Sequence, residues 1–219
     1  MSDAYTATAR IINQLYGDGT PDKGALAELR RTTAITDKGA EKIWPLIFSA
    51  VPKLSTNGKP TKLETAVYTA LHCYAAFQQG NDSFVFGQIP RSKDKEESGE
   101  NGVSLSNGVS LSNGVSLSNG VSLFTALRKM KINDSNEKKA LDRRVTALLA
   151  TTNISSATNS INHLVSILKG KKMGEKIDFA QLAEDLYNFQ WSTKNARFVA
   201  LKWGKDYYWN VYKLASDND

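Results

Sequence analysis

Thr61-Lys62-Leu63-Glu64-Thr65-Ala66-Val67-Tyr68-Thr69-Ala70-Leu71-His72-Cys73-Tyr74-Ala75-Ala76-Phe77-Gln78-Gln79 is the stretch whose reading decides the fold. Its Thr61-x-x-Glu64 start has the form of a capping box, in which threonine accepts from the third amide and glutamate reaches back to the first. Leu63, Val67, Ala70, Leu71, Tyr74 and Phe77 recur at helical spacing. Gly80-Asn81 then stops the run. A capped, amphipathic helix near the middle of the N-terminal half predicts neighbours of the same kind.

Those neighbours are legible in both directions. Upstream, Ser2–Tyr16 sets Tyr5, Ile12, Leu15 and Tyr16 on one side. Asp22–Thr33 follows a Gly-Asp-Gly-Thr-Pro turn and ends in Arg30 and Arg31. Asp37–Val51 carries Ile43, Leu46 and Ile47 on one face beside Trp44, and Pro45 bends or divides it by removing an amide donor. Downstream, Phe84, Phe86 and Ile89 suit a short extended piece packed back on these helices.

Helical spacing resumes at Ser122–Lys131, which opens with a serine cap and carries Leu123, Ala126, Leu127 and Met130. Asn136–Thr151 carries Leu141, Val145, Leu148 and Leu149, and Ser155–Lys169 carries Ile161, Leu164, Val165 and Leu168. Asp178 caps Phe179–Gln190, whose stripe is Leu182, Ala183, Leu186 and Phe189. Ser192 or Thr193 starts a final helix read through Phe198, Leu201, Tyr208 and Tyr212. No stretch alternates convincingly as a strand.

Between the two helical stretches lies a mixed charged segment, Arg91–Glu100, and then a tandem repeat. Asn-Gly-Val-Ser-Leu-Ser occupies 101–106, 107–112 and 113–118, and Asn119–Phe124 is a fourth copy ending in Phe. With two apolar residues per copy the array is too short to stack a solenoid core. Identical copies point to recent slippage in the coding sequence, and only the last is expected to be structural. The expected fold is all-α: two small helical bundles, residues 1–90 and the basic 120–219, joined by a flexible linker at 91–119 that contains the hexapeptide repeat.

Composition narrows the function. With 41% apolar and 23% charged residues the chain is that of a folded protein rather than a disordered one. Cys73 is its one cysteine, which excludes an internal disulfide and a multi-cysteine metal site. No run approaches the roughly 20 apolar residues of a membrane span, and Met1–Tyr16 lacks the apolar core of a signal peptide. A cytoplasmic protein with no membrane contact is expected. The net charge is +6, unevenly placed: residues 1–90 hold 9 basic and 8 acidic side chains, while residues 125–219 hold 16 and 10. A basic half attracts polyanions, nucleic acid before membrane, unless it is only a solvated lysine-rich surface.

Catalysis has no visible carrier. Neither a Gly-x-Gly-x-x-Gly nor a phosphate-binding Gly-Lys-Ser/Thr loop occurs, nor a His-Glu-x-x-His. Glu184 and Asp185 are expected on a solvated face, and His72 and His163 as packed or hydrogen-bonded histidines. Helix neighbours point about 100° apart, so His72 does not face Cys73. No enzyme activity and no cofactor are expected.

Phosphate recognition has better candidates. Arg30-Arg31 end one helix and Arg128-Lys129-Lys131 another. Along Asn136–Thr151, Lys139 and Arg143 are neighbours one turn apart, joined by Lys138 and Arg144, on the side away from Leu141, Val145 and Leu148. Arginine's planar fork suits phosphate oxygens, and such a strip tracks a backbone without reading bases. Pairing of Lys138 or Lys139 with Asp142 is the competing structural reading. Lys169, Lys171 and Lys172 form a further basic turn, and Lys194 and Arg197 open the final helix. From Arg197 to Trp209 aromatics interleave with cations, a mix that either stacks nucleotides or closes a bundle core.

The order of motifs resembles the CasB family, the small subunit of Cascade, the type I-E CRISPR surveillance complex. The resemblance rests on Ala25-Leu26-Ala27-Glu28-Leu29-Arg30-Arg31, Gly120-Val121-Ser122-Leu123, Asp142-Arg143-Arg144-Val145-Thr146-Ala147-Leu148-Leu149, Ile177-Asp178-Phe179-Ala180-Gln181-Leu182-Ala183-Glu184-Asp185-Leu186 and Trp203-Gly204-Lys205-Asp206-Tyr207-Tyr208. It implies a non-catalytic subunit, present in two copies among other Cascade subunits, that helps hold the CRISPR RNA–target DNA duplex and the displaced DNA strand. Base pairing then supplies sequence specificity, and the protein needs only a positive surface that follows phosphates. Matching positions put Arg30, Arg31, Lys62, Arg143, Arg144 and Arg197 on that surface. Lys62 stands where some relatives have arginine, and the paired arginines that relatives can carry around Asn162-His163-Leu164 are missing here. The alternative is a helical assembly scaffold that contacts only acidic protein partners.

Overall fold

In the structure, a computed structural model, residues 2–81, 83–90, 119–130, 132, 134–171 and 174–216 are described. The repeat copies at 101–118, the rest of the assigned linker up to residue 118, and Lys172 lie outside them.

The capping box forms as read: Thr61 Oγ1 accepts from the Glu64 amide at 3.1 Å, and Glu64 Oε2 accepts from the Thr61 amide at 2.7 Å. It opens helix α4, Lys62–Gln78. Glu64 Oε1 also accepts from the Ser55 amide, so the cap anchors the preceding loop. Apart from α3, described below, the other described α-helices start the same way, with short polar side chains that satisfy orphan amides. Ser2 caps α1 (Asp3–Leu15), Asp22 caps α2 (Lys23–Arg31), and Ser122 caps α5 (Leu123–Lys129). Asp134 caps α6 (Ser135–Ala150), Asn153 caps α7 (Ile154–Gly170) and Asp178 caps α8 (Phe179–Phe189). Ser192 Oγ accepts from the Asn195 amide at the start of α9, Thr193–Ser216. Pro45 divides its segment: a 3-10 turn at Ala40–Lys42 precedes α3, Trp44–Ala50, with the proline in the first turn, where its missing amide costs nothing.

The fold is all-α apart from a small knot of extended chain. β1 (Gly120–Val121) pairs in parallel with β2 (Lys176–Ile177), Gly120 opposite Lys176 and Val121 opposite Ile177. Phe86 bridges to Ile177 on β2's other side, so the Phe84–Phe86 piece reaches across to the later half of the chain. Gly120 has no alternative here, because a Cβ on it would lie 1.9 Å from the Gly87 carbonyl oxygen. Asp178 ties the knot to the helices. Its Oδ1 caps α8, while Oδ2 accepts from the Tyr5 hydroxyl and the Ile89 amide.

Helices before and after the repeat share a core. α8 lies against α1, α4 and α9, and α4 lies against α1, α2 and α7. Phe179 of α8 meets Tyr74 and Phe77 of α4 edge-on or tilted, at 5.8 and 6.0 Å. On the far side, α9 packs on α5, α6 and α8, and Trp203 is stacked between Phe124 and Phe189 at 4.9 and 5.8 Å.

Two expectations are corrected. The face of α9 in the core is Ala196, Val199, Ala200, Trp203 and Tyr207, whereas Phe198 and Leu201 are 59% and 58% exposed. Asp185 is buried rather than solvated, because α9 covers that side of α8. Its Oδ2 accepts from Trp203 Nε1 at 2.9 Å and its Oδ1 from Lys202 and Gln181.

Candidate nucleic-acid interface

The helix that carries the basic strip is built so that the strip faces out. Leu141, Val145 and Leu148 bury one side of α6 against α7 and α9, and at about 100° per residue Lys139 and Arg143 fall on the opposite side. Lys139, Arg143 and Arg144 are exposed. Among the described residues, Lys139 and Arg143 have no hydrogen-bond or ion-pair partner. Arg144 Nε donates to His163 Nε2 of α7 at 3.0 Å, which steadies the side chain at an exposed position. Lys138 is the residue that pairs with Asp142, at 3.0 Å, and it also donates to the Tyr207 hydroxyl. Tyr207 in turn donates to Asp142 at 2.7 Å, and burial together with that carboxylate pushes its phenol well above the usual tyrosine value. The competing pairing thus takes Lys138 and leaves Lys139.

Arg197 adjoins this strip. One guanidinium nitrogen donates to the Leu149 carbonyl at 2.6 Å, so Arg197 closes the C-terminal end of α6, where a cation also suits the helix dipole. Lys194, one turn earlier in α9, lies 5.7 Å over the Phe198 ring. Lys62, in the first turn of α4, lies 4.2 Å over Trp191 in the α8–α9 connection, and Gln190 donates to the Lys62 carbonyl. Lys62, Lys194, Arg197 and the α6 strip therefore follow one another across neighbouring elements.

The other candidates sit elsewhere. α4 and α7 run parallel: Cys73 donates to Asn162 midway and Lys169 donates to Gln79 at their C-terminal ends. Seventeen residues of helix separate Lys62 from Gln79, about 25 Å, which puts Lys169 at the far end from Lys62. Lys171, beside it, is paired with Glu137 at 2.7 Å. Arg30 and Arg31 end α2, where Arg31 reaches Glu28 at 3.4 Å and Arg30 is half-buried. Glu28 is held below the usual glutamate value chiefly by its hydrogen bond to Lys42.

The histidines and the thiol do structural work. His72 Nδ1–H donates to the Leu29 carbonyl at 2.7 Å, with the Thr32 carbonyl at 2.9 Å, and so fastens α2 to α4. Burial pushes the Cys73 thiol up to about 12, far from a thiolate nucleophile at neutral pH. Among the described residues no three His, Cys, Asp or Glu side chains converge as a metal site, and no helix is long and apolar enough to cross a membrane.

Sequence reasoning missed the exposed ring of Trp191 and left Phe198 and Trp209 between base stacking and core closure; the three are 53%, 59% and 63% exposed. The signal was available. Placed at about 100° per residue, Phe198 and Trp209 share a face with Lys194 and Lys205, opposite Trp203 and Tyr207.

These features define a class: a small all-α protein whose surface cations gather on α6 and the start of α9. A family model of CRISPR-associated protein Cse2 matches residues 25–208, and the chain belongs to this family, which is that of CasB. The structure is similar to the crystal structure of CasB from Thermobifida fusca, with a TM-score of 0.60 and 20% identity over 94% of this chain and 98% of that one. No curated protein matches. Membership makes the chain a subunit of the CRISPR Cascade complex, associated with other Cascade components in defence.

Proposed function

We propose that the chain is a non-catalytic subunit that binds nucleic-acid backbone without reading sequence, steadying the guide RNA–target DNA heteroduplex and the displaced DNA strand. The observation that carries this reading is the outward strip of α6, where Lys139 and Arg143 are exposed and have no partner among the described residues. A cation without an internal partner is available to replace the counterions of a phosphate. Strand exchange in such a complex is nearly balanced, so holding the displaced strand tips it toward the open state. Arg144, Arg197, Lys194 and Lys62 extend the same surface. Lys169, Lys171 and Lys172 form a separate basic turn, and Lys169 and Lys171 are held by Gln79 and Glu137. Arg30 and Arg31 would make a secondary contact at the end of α2.

The test is target retention by the assembled complex at several salt concentrations. Arg143→Ala with Arg144→Ala is expected to weaken retention alike on unrelated target sequences and to flatten the salt dependence, by about 0.7–0.9 in log–log slope for each phosphate no longer neutralised. Lys169→Ala with Lys171→Ala should change the slope less. Unchanged retention and slope in a folded Arg143/Arg144 variant would leave the scaffold reading, in which α6 meets an acidic protein.

A further inference from the structure

The outer face of α9 is an amphipathic surface of the wrong kind for a solvated helix. Lys194, Phe198, Leu201, Lys202, Lys205 and Trp209 fall within an arc of about 100°, directly opposite the core residues Trp203 and Tyr207. Phe198, Leu201 and Trp209 are each more than half exposed and lie along one face of the helix. Lysine alternates with them along the helix. The acids nearby are engaged: Asp185 by Lys202 and Trp203, Glu184, which lies beside Phe198, by the Gln181 side-chain amide at 3.1 Å, and Asp206 by the Ser122 hydroxyl at 2.6 Å.

We propose that this stripe is a stacking platform for single-stranded nucleic acid, in which bases lie on the rings of Phe198 and Trp209 while Lys194 and Lys205 meet the phosphates between them. The proposal rests on the reading above that the chain meets nucleic acid, and it names the form of strand and the groups that hold it. Ring faces offer nothing to a duplex, whose bases are already stacked, whereas unpaired bases stack on aromatics whatever their sequence. Protein interfaces deplete lysine from their buried centres. Here lysine lies between the apolar side chains all along the stripe, which favours a polyanion over a protein partner. The rings stand on a helix fixed by Trp203 and Tyr207, so the spacing of their attachment points is set before the strand arrives. Trp191, with Lys62 over its ring, lies in the connection just before α9.

The experiment measures binding of a fluorescent oligo-dT by the full chain across a salt series. Phe198→Ala with Trp209→Ala is expected to weaken binding at least about tenfold while leaving the salt slope unchanged, since stacking releases no counterions. Phe198→Tyr with Trp209→Phe, which keeps both rings, should restore most of the affinity. Lys194→Ala with Lys205→Ala should instead flatten the slope, by about 0.7 per phosphate. Failure of the parent chain to bind oligo-dT, or equal binding by the folded double-alanine variant, would overturn the platform. So would a double-alanine variant that keeps oligo-dT binding but no longer joins the other subunits, which would make the stripe a protein contact. Arg143→Ala with Arg144→Ala, assayed in parallel, separates the two claims. Loss of binding there but not in the ring variant leaves the α6 reading standing and removes the platform.

Discussion

Asp185 shows how much a single carboxylate can depend on a helix that the local sequence does not name. It lies one turn after Leu182 and one turn before Phe189, at the edge of the apolar stripe of α8, and α9 closes over it. Burial pushes its carboxyl above the usual aspartate value, against the opposing pull of Lys202, Trp203 and Gln181. A raised carboxyl pKa means the folded state favours the proton. The stabilisation from this group is complete below the unfolded value near 3.8 and is lost as pH rises through the higher folded value. Asp185→Asn keeps an acceptor for Trp203 Nε1 and removes the titration. Its stability relative to the parent should therefore improve between pH 4.5 and pH 7.5 in urea unfolding. Asp185→Leu leaves the indole N–H buried without an acceptor and should cost about 1–3 kcal/mol at both pH values. An Asp185→Asn chain that loses ground to the parent as pH rises would show that the Lys202 pair outweighs burial. Sequence alone could see that Asp185 borders the stripe, but its burial required knowing that α9 covers it.

At the scale of elements, the repeat poses a question of register. The four copies share Gly, Val, Ser and Leu, and the last of them is built into the described fold: Gly120 against Gly87, the Val121 carbonyl accepting from the Asp178 amide, Ser122 capping α5, and Leu123 buried. What sets this copy apart is Phe124, 1% exposed and stacked on Trp203, where the others carry serine. Gly120→Ala must displace backbone and should destabilise by more than about 2 kcal/mol. Gly114→Ala, the same change one copy earlier, should leave unfolding midpoints unchanged. Phe124→Ser should cost about 3–5 kcal/mol by emptying the stack, and equal effects of the two glycine substitutions would mean that the copies exchange. Caps and stripes made most of the helices legible, with caps read at Thr61, Ser122 and Asp178, because capping and periodicity are local. The β1–β2 pairing was not legible, since two residues cannot alternate and the partners are far apart in sequence. The face of α9 was misread for a different reason: with aromatic residues all round the helix, only the packing of α5 and α8 selects which of them are buried.

Over the whole molecule, the two helical stretches lean on each other. α8 is encoded after the repeat but rests on α1 and α4, which are encoded before it, and Asp178 accepts from Tyr5 and Ile89 across the same boundary. Without residues 120–219, α4 and α1 would expose the apolar side that α8 covers, including Tyr74 and Phe77 against Phe179. Without residues 1–90, α8 would keep only α9 and its end of the stacked rings. An amphipathic stripe states that a helix is covered on one side but not by what, so this dependence could not be read before the packing was known. The ends of the two stretches meet in the fold, where the Gly120 amide donates to the Gln88 carbonyl at 3.0 Å. Fragments 1–90 and 120–219, produced separately, should each show broad, weakly cooperative thermal transitions and bind a hydrophobic dye. Mixed at equal concentration they should form a 1:1 complex with a single sharp transition whose midpoint rises with concentration, as expected when association and folding are linked. Two sharp, concentration-independent transitions from the isolated fragments would instead mean that each half carries a sufficient core and that α8 only docks one finished unit on the other.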